Sequence, residues 1–160
     1  MKWSPNRKFE DQKVFIVGGG ASLKEFNWHR LNGLNTIGCN TAFRLKNPIC
    51  QFVLFGDLLF WERYKYDLLK FEGALVTNHP SLRNTPLQQL KTMERSKILS
   101  TENKALSWFG NTGCSAIHLA LLMGATQIYL LGFDGKPPKN QPKHWHQEAV
   151  LVPTEEVYDR

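Results

Sequence analysis

The stretch Val14-Phe15-Ile16-Val17-Gly18-Gly19-Gly20-Ala21-Ser22-Leu23 restricts the fold of this chain more than any other. An apolar, mostly β-branched run leads directly into three glycines. A serine and a segment of helical spacing follow, with Leu23, Phe26, Arg30 and Leu31 on one face and Asn32-Gly33 at its end. The pattern predicts a buried strand, a tight turn and a short helix capped by Ser22. Glycines let a turn's backbone come close to a ligand. A helix start adds free N–H groups and a positive dipole end. An anion, most often a phosphate, suits such a turn; a glycine turn that joins strand to helix with no ligand is the alternative. A dinucleotide fingerprint fits poorly. It asks for a third glycine where Leu23 stands, and for an acidic residue about twenty positions further on. The next strand, Thr36-Ile37-Gly38-Cys39, ends in Asn40 instead.

Further strands are predicted over Cys50 to Phe55, Ala74 to Thr77 and Gln127 to Leu131. They are nearly continuous apolar runs, as in a parallel sheet covered on both faces. Alternation with helical segments predicts an α/β chain, a three-layer Rossmann-like fold with a mostly parallel central sheet. Gly56-Asp57 follows the third strand and opens an aromatic-rich helix, Leu58 to Tyr64. Asp57 stands at a strand's carboxyl end, where open α/β sheets bind ligands. It could hold a sugar hydroxyl or a metal, or cap the helix. Phe60, Trp61 and Tyr64 belong either to the core or to an interface between copies of a homo-oligomer. Asn78 to Ser107 is polar, carries Pro80 and Pro86, and reads as a variable excursion with one helix near Pro86 to Arg95.

A second candidate cradle is Gly110-Asn111-Thr112-Gly113-Cys114-Ser115-Ala116, which leads into the apolar helix Ile117 to Met123. Such a helix should be buried against the sheet, and its small-residue start could hold an anion or a nucleotide. His118 inside it is expected to be a hydrogen-bonded core residue. Gly132-Phe133-Asp134-Gly135 closes the last strand. Beyond a loop-like Lys136 to Asn140 comes Lys143-His144-Trp145-His146-Gln147-Glu148. Its two histidines could serve as a general base, bind metal, or be structural. No cysteine or third histidine stands near them for a metal set.

The 160 residues suit a single domain, with residues 1–12 as a loose arm, 78–107 as the excursion and 147–160 as a tail. No apolar run approaches the ~20 residues of a membrane span, and the polar start has no signal-peptide core. Three cysteines, Cys39, Cys50 and Cys114, lie in or beside apolar segments without metal spacing, and an odd number of buried-looking cysteines suits a reducing cytoplasm. A formal charge of +6 suits an anionic small ligand or weak nucleic-acid contact. The basic residues are scattered and no RNA-binding aromatic motif is present, so nucleic acid is not expected as the main partner.

Several stretches together resemble a known group. Gly18-Gly19-Gly20-Ala21-Ser22-Leu23-Lys24 is similar to the Gly-x-Gly-Pro-Ser-Leu opening of Rossmann-like transferases. These include the bacterial CMP-sialic-acid-dependent sialyltransferases of glycosyltransferase family 42 and proteins resembling archaeal 6-hydroxymethylpterin pyrophosphokinase. Cys39-Asn40 resembles the sialyltransferases' Cys-Asn, and Leu58 to Tyr64 their Leu-Phe-Phe-Glu-Gln-Tyr-Tyr. Thr112-Gly113 through Ile128-Tyr129-Leu130-Leu131-Gly132-Phe133-Asp134 resembles their Ser-Gly helix and Ile-Tyr-Leu-x-Gly-Ile-Asp. With His144-Trp145-His146, the set looks most like short uncharacterised relatives carried by phages and prophages, which would place the chain in the cytoplasm of a bacterial host.

The resemblance implies a transferase that binds a nucleotide or a nucleotide-activated donor, a sugar or a pyrophosphate. It implies phosphate and ribose contacts from the glycine turn, Gly18, Gly19 and Gly20, with Ser22. It implies donor contact from Asn40, nucleotide contact from Asn111, Thr112 and Gly113, and a base pocket of Gly132, Phe133 and Asp134. The family's general base would be His144 or His146. Pyrophosphokinase chemistry would need Mg2+ held by carboxylates, for which Asp57 and Asp134 are the candidates. The chain departs from the sialyltransferases in several places. The Asn after their first helix turn and their phosphate-supporting tyrosines have no clear counterparts, and the spacing to the histidines is shorter. A catalytically silent phage protein that binds a nucleotide or nucleotide sugar is the alternative.

Overall fold

The computed structural model describes residues 3–45, 49–85, 87–102 and 104–135. Val14, Phe15, Ile16 and Val17 form the middle of the first strand, β1 (Lys13–Val17). The chain then runs through β2 (Thr36–Cys39), β3 (Phe52–Phe55), α1 (Leu58–Leu68), β4 (Ala74–Thr77), β5 (Leu90–Thr92), β6 (Glu94–Ser96), β7 (Ala105–Ser107), α2 (Thr112–Leu122) and β8 (Gln127–Leu131). Six strands form one sheet in the order β5-β4-β3-β2-β1-β8, and β6 and β7 make a separate pair. Every pairing in the large sheet is parallel. The chain therefore has a Rossmann-like α/β fold.

Alternation of side chains along each strand builds a core on each face of the sheet. Val14 and Ile16 of β1 join Ile37, Phe52, Leu54 and Val76 on one face, where α2 adds Ala116, Leu119 and Ala120 and its capping residue Met123 follows. Val17 joins Val53, Phe55 and Leu75 on the other, where α1 adds Phe60, Trp61, Tyr64 and Leu68. The central strands need residues that are apolar on both faces, which explains their continuous apolar runs. Phe60, Trp61 and Tyr64 are 2%, 6% and 4% exposed, so they belong to this core and are not open to an interface. In α2, by contrast, Cys114 and Leu121 lie exposed on the face turned from the sheet.

Four expectations are corrected. The segment after the glycine turn is not one helix capped by Ser22. It forms two 3-10 turns, Ala21–Leu23 and Trp28–Leu31. Asn27 breaks it by adopting extended backbone and accepting the His29 N–H with its own side chain, a local bond that competes with helix. The excursion holds no helix near Pro86 to Arg95. Its described residues there form β5, because the exposed edge of β4 offers ladder partners that helix propensity cannot match, and β6, which pairs with β7; Pro86 itself lies outside the described residues. The amino-terminal segment is not loose from Trp3 to Gln12. Phe9 is 1% exposed in the α2-side core and its N–H donates to Met123 O, an isolated aromatic with no periodicity to announce it. Cys114 is exposed, unlike Cys39 and Cys50.

His118 is fully buried on α2. Its Nδ1 accepts the Ser107 N–H at 3.0 Å, which leaves Nε2–H to donate to Ser100 O at 3.1 Å. The ring thus ties the excursion to α2. Burial lowers its pKa, and the bond to Ser100 opposes this. His118→Ala should destabilise by about 2–4 kcal/mol in urea unfolding, because two backbone groups lose partners in the interior. The neutral ring stabilises the fold fully above the unfolded pKa of about 6.5, and that stability is lost as pH falls toward the lowered folded value. A His118→Gln chain should lack this part of the acid destabilisation; an unchanged pH profile would contradict the assignment.

Candidate functional site

The order of strands turns at β1. Strands β2 to β5 extend from one side of it and β8 lies on the other, so the carboxyl ends of β1 and β8 flank the topological switch point of the sheet. Open α/β sheets bind ligands in that crevice. Most residues singled out in the sequence meet there.

The glycine turn and the Gly132-Phe133-Asp134 turn are clasped together. Gly18 N–H donates to Leu131 O at 2.8 Å and Gly20 N–H to Gly132 O at 2.9 Å. The Asp134 carboxylate accepts from Ser22 N–H at 2.9 Å and from Ser22 Oγ at 2.5 Å. The N–H pocket expected to hold an anion therefore holds one of the chain's own carboxylates. A Cβ on Gly20 would fall 2.4 Å from that carboxylate, and one on Gly18 would fall 2.6 Å from Gly132 O. Glycine is required at both positions by this close packing.

The start of α2 joins the cluster through Phe133. The ring lies where a Cβ on Gly113 would come within 2.6 Å of it, and within 3.1 Å of one on Gly18. It therefore bridges the two candidate cradles, and it is 37% exposed. Asn111 caps α2 by accepting the Cys114 N–H at 3.1 Å; the first-turn N–H groups of Thr112 and Gly113 have no carbonyl within the helix to bond. Asn40 sits at the end of β2 with a φ of 51°, a left-handed conformation that asparagine tolerates better than most residues. Its Oδ1 accepts a long hydrogen bond from Thr112 Oγ1 at 3.5 Å. Gly18, Gly20, Ser22, Asn40, Thr112, Gly113, Gly132, Phe133 and Asp134 are thus neighbours in space.

Asp57 is not part of this group. It stands beyond β3, at the cap position of α1, and its side chain makes no capping hydrogen bond. Its charge acts on His79 and Arg95 instead. Strands lie about 4.8 Å apart, so the ends of β3 and β8, three steps apart in the sheet, do not bring Asp57 and Asp134 onto a common metal ion. Among the described residues no group of three or more His, Cys, Asp or Glu could hold one. His144 and His146 lie outside the described residues. Burial pushes the Cys39 and Cys50 thiols up to about 12, which makes them poor nucleophiles at neutral pH.

The sequence reading missed Asn78, His79, Arg95 and Trp108, which gather beside Asp57 at the ends of β3 and β4. Asn78, His79 and Arg95 come from the excursion and Trp108 directly follows it; no motif marks them. A cavity of about 540 Å3, lined by Trp3, Arg7, Lys8, Phe52, Lys91 and Met123 among others, lies at the opposite edge, beside the first residues of β3 and β4. It contains none of the candidate site residues, and the site follows the switch point, where backbone donors and polar side chains converge. No helix among the described residues is long and apolar enough to cross a membrane. No family model, curated protein or solved structure matches the chain.

The clasp can be tested by a double-mutant cycle. Gly20→Ala should cost about 1–3 kcal/mol by displacing Asp134 from Ser22, and most of that cost should vanish in an Asp134→Ala background. Equal costs in both backgrounds, read by urea unfolding of the four chains, would show that Gly20 is needed for another reason.

Proposed function

We propose that this chain binds a nucleotide or a nucleotide-activated donor in the crevice between the ends of β1 and β8. One observation carries the reading. Two backbone turns, the start of a buried helix and Asn40 converge at the switch point, and the Ser22 N–H and hydroxyl there hold a carboxylate. A pocket that binds one oxyanion has the donors to bind another. In this reading the donor phosphates take the Ser22 end of the Gly18–Ser22 turn, once Asp134 has moved aside, and the Thr112–Gly113 N–H groups. Asp134, displaced from Ser22, accepts from ribose hydroxyls or the base, and the Phe133 ring offers a stacking face. Asn40 positions the donor.

Transfer to an acceptor hydroxyl, as in the sialyltransferase-like and pyrophosphokinase-like proteins the sequence resembles, is the proposed reaction. His144 or His146 would take the acceptor's proton. A Mg2+ ion brought by the nucleotide would have Asp134 as its carboxylate ligand and would offset the repulsion between that carboxylate and the phosphates. A catalytically silent binding protein is the second reading. It is favoured by Phe133 and Asp134, which already fill the space against the glycines.

Thermal unfolding against CMP, CDP, CMP-sialic acid, ATP, GTP, UDP-sugars and NAD, each with and without Mg2+, tests the site. A ligand at a hundred times its dissociation constant should stabilise by about 2.7 kcal/mol, and Gly18→Val should abolish the response. A flat panel would overturn the nucleotide reading. For whichever donor responds, release of free nucleotide that is lost in a His144→Ala, His146→Ala double variant supports transfer. An intact ligand, bound equally well without either histidine, supports the silent binder.

A further inference from the structure

A second polar cluster lies at the carboxyl ends of β3 and β4, outside the proposed donor crevice. It is built around Arg95. The guanidinium donates from Nη2 to Gly56 O at 2.8 Å, from Nε to Asn78 O at 3.2 Å and from Nη2 to Asn78 Oδ1 at 3.2 Å. Its Cζ lies 4.6 Å from the centre of the Trp108 ring. That ring presses on Gly56 so closely that a Cβ there would fall 1.9 Å from it. Asn78 is itself only 1% exposed and donates to Leu106 O at 3.5 Å. The arginine is therefore fixed on every side that the protein reaches.

What it lacks is a direct ion pair, although the Asp57 charge acts on it from nearby. Half-buried arginines are usually paired with a carboxylate, yet among the described residues Arg95 forms no ion pair, and its Nη1 has no hydrogen-bond partner. Beside it stands His79. Its Nδ1 accepts the Ser81 N–H at 3.3 Å, so in the neutral ring the proton sits on Nε2. That Nε2–H also has no partner among the described residues. Burial and the Arg95 charge lower the His79 pKa, against an opposing pull from Asp57, which keeps the ring in its neutral, Nε2-donating form near pH 7. This tautomer makes His79 a hydrogen-bond donor to a ligand, not a base toward it. Asp57 is exposed and its carboxylate is not used to cap α1.

We propose that the cluster is a binding site for the oxyanion of a small second ligand, a carboxylate or a phosphate group, held by Arg95 Nη1 and His79 Nε2–H. Trp108 and Asn78 pre-organise the guanidinium. Asp57 competes with the bound anion and tunes its affinity. The site stands on residues separate from the nucleotide crevice and does not depend on that reading.

The test is titration of the whole chain with inorganic phosphate and, separately, with acetate at constant ionic strength. It is followed by NMR of the His79 imidazole and the Arg95 guanidinium. Saturable shifts at both residues with one anion and not the other identify the class of oxyanion; saturation with both identifies a general oxyanion site. Arg95→Lys should weaken binding at least about tenfold, because a lysine keeps the charge but not the fork. If Arg95→Lys fails to fold, His79→Ala on its exposed turn gives the same reading with a smaller loss. Asp57→Asn should tighten binding several-fold, an effect that a purely structural Arg95 would not produce. Shifts that never saturate with either anion, or an Asp57→Asn chain that binds no better, would overturn the proposal.

Discussion

Burial of one parallel sheet on both faces is the constraint on which the other features depend. A parallel ladder leaves no strand face free for water when helices lie on both sides. Each central strand must therefore supply mostly apolar residues, with the buried Thr36 and Thr77 only at strand termini, and polar chemistry is pushed to the strand ends. Val14 and Ile16 serve one core while Val17 serves the other, and the first polar or glycine residues after them fall on the carboxyl edge. Gly18, Asn40, Gly56, Asn78 and Gly132 are all such positions, one after each of β1, β2, β3, β4 and β8. The edge is crowded with backbone N–H groups and short polar side chains because the core admits almost none. His118 is the main exception, and it is tolerated because both ring nitrogens are bonded.

Along that edge two clusters separate according to strand order. At β1 and β8 the packing is between backbones, with glycine where a Cβ would strike a carbonyl or carboxylate and with Asp134 bonded to Ser22. At β3 and β4 it is between side chains, with Arg95 held between carbonyls and an indole. One cluster holds the Ser22 N–H and hydroxyl on the Asp134 carboxylate. The other presents a guanidinium held by Gly56 and Asn78, with no direct ion pair among the described residues and the Asp57 charge acting on it.

Much of this was legible in the sequence, for reasons that vary by segment. β1, β2, β3, β4 and β8 announce themselves by apolar runs that end in glycine or asparagine, a local signal. α1 and α2 show through composition and the Gly-Asp and Gly-Asn-Thr-Gly breaks before them. The two 3-10 turns after β1 were hidden because Leu23, Phe26 and Leu31 keep helical spacing while Asn27 breaks the backbone. β5 and β6 were hidden because three-residue strands at a sheet edge owe their form to a partner, not to their own propensity. Phe9 gave no warning, since a single buried aromatic in a polar stretch has no period.

The sequence alone determined the class of fold and the chemistry of the strand ends, because hydrophobic period and turn residues act over a few positions and can be read there. Only the tertiary structure decided which ends meet. Strand order places Gly132 to Asp134 against Gly18 to Ser22, across more than a hundred residues of chain, and leaves Asp57 with His79 and Arg95 instead. Side-chain charge and hydrogen-bonding capacity are written in the residue, but their partners are set by the closing of the sheet. No local pattern carries that information.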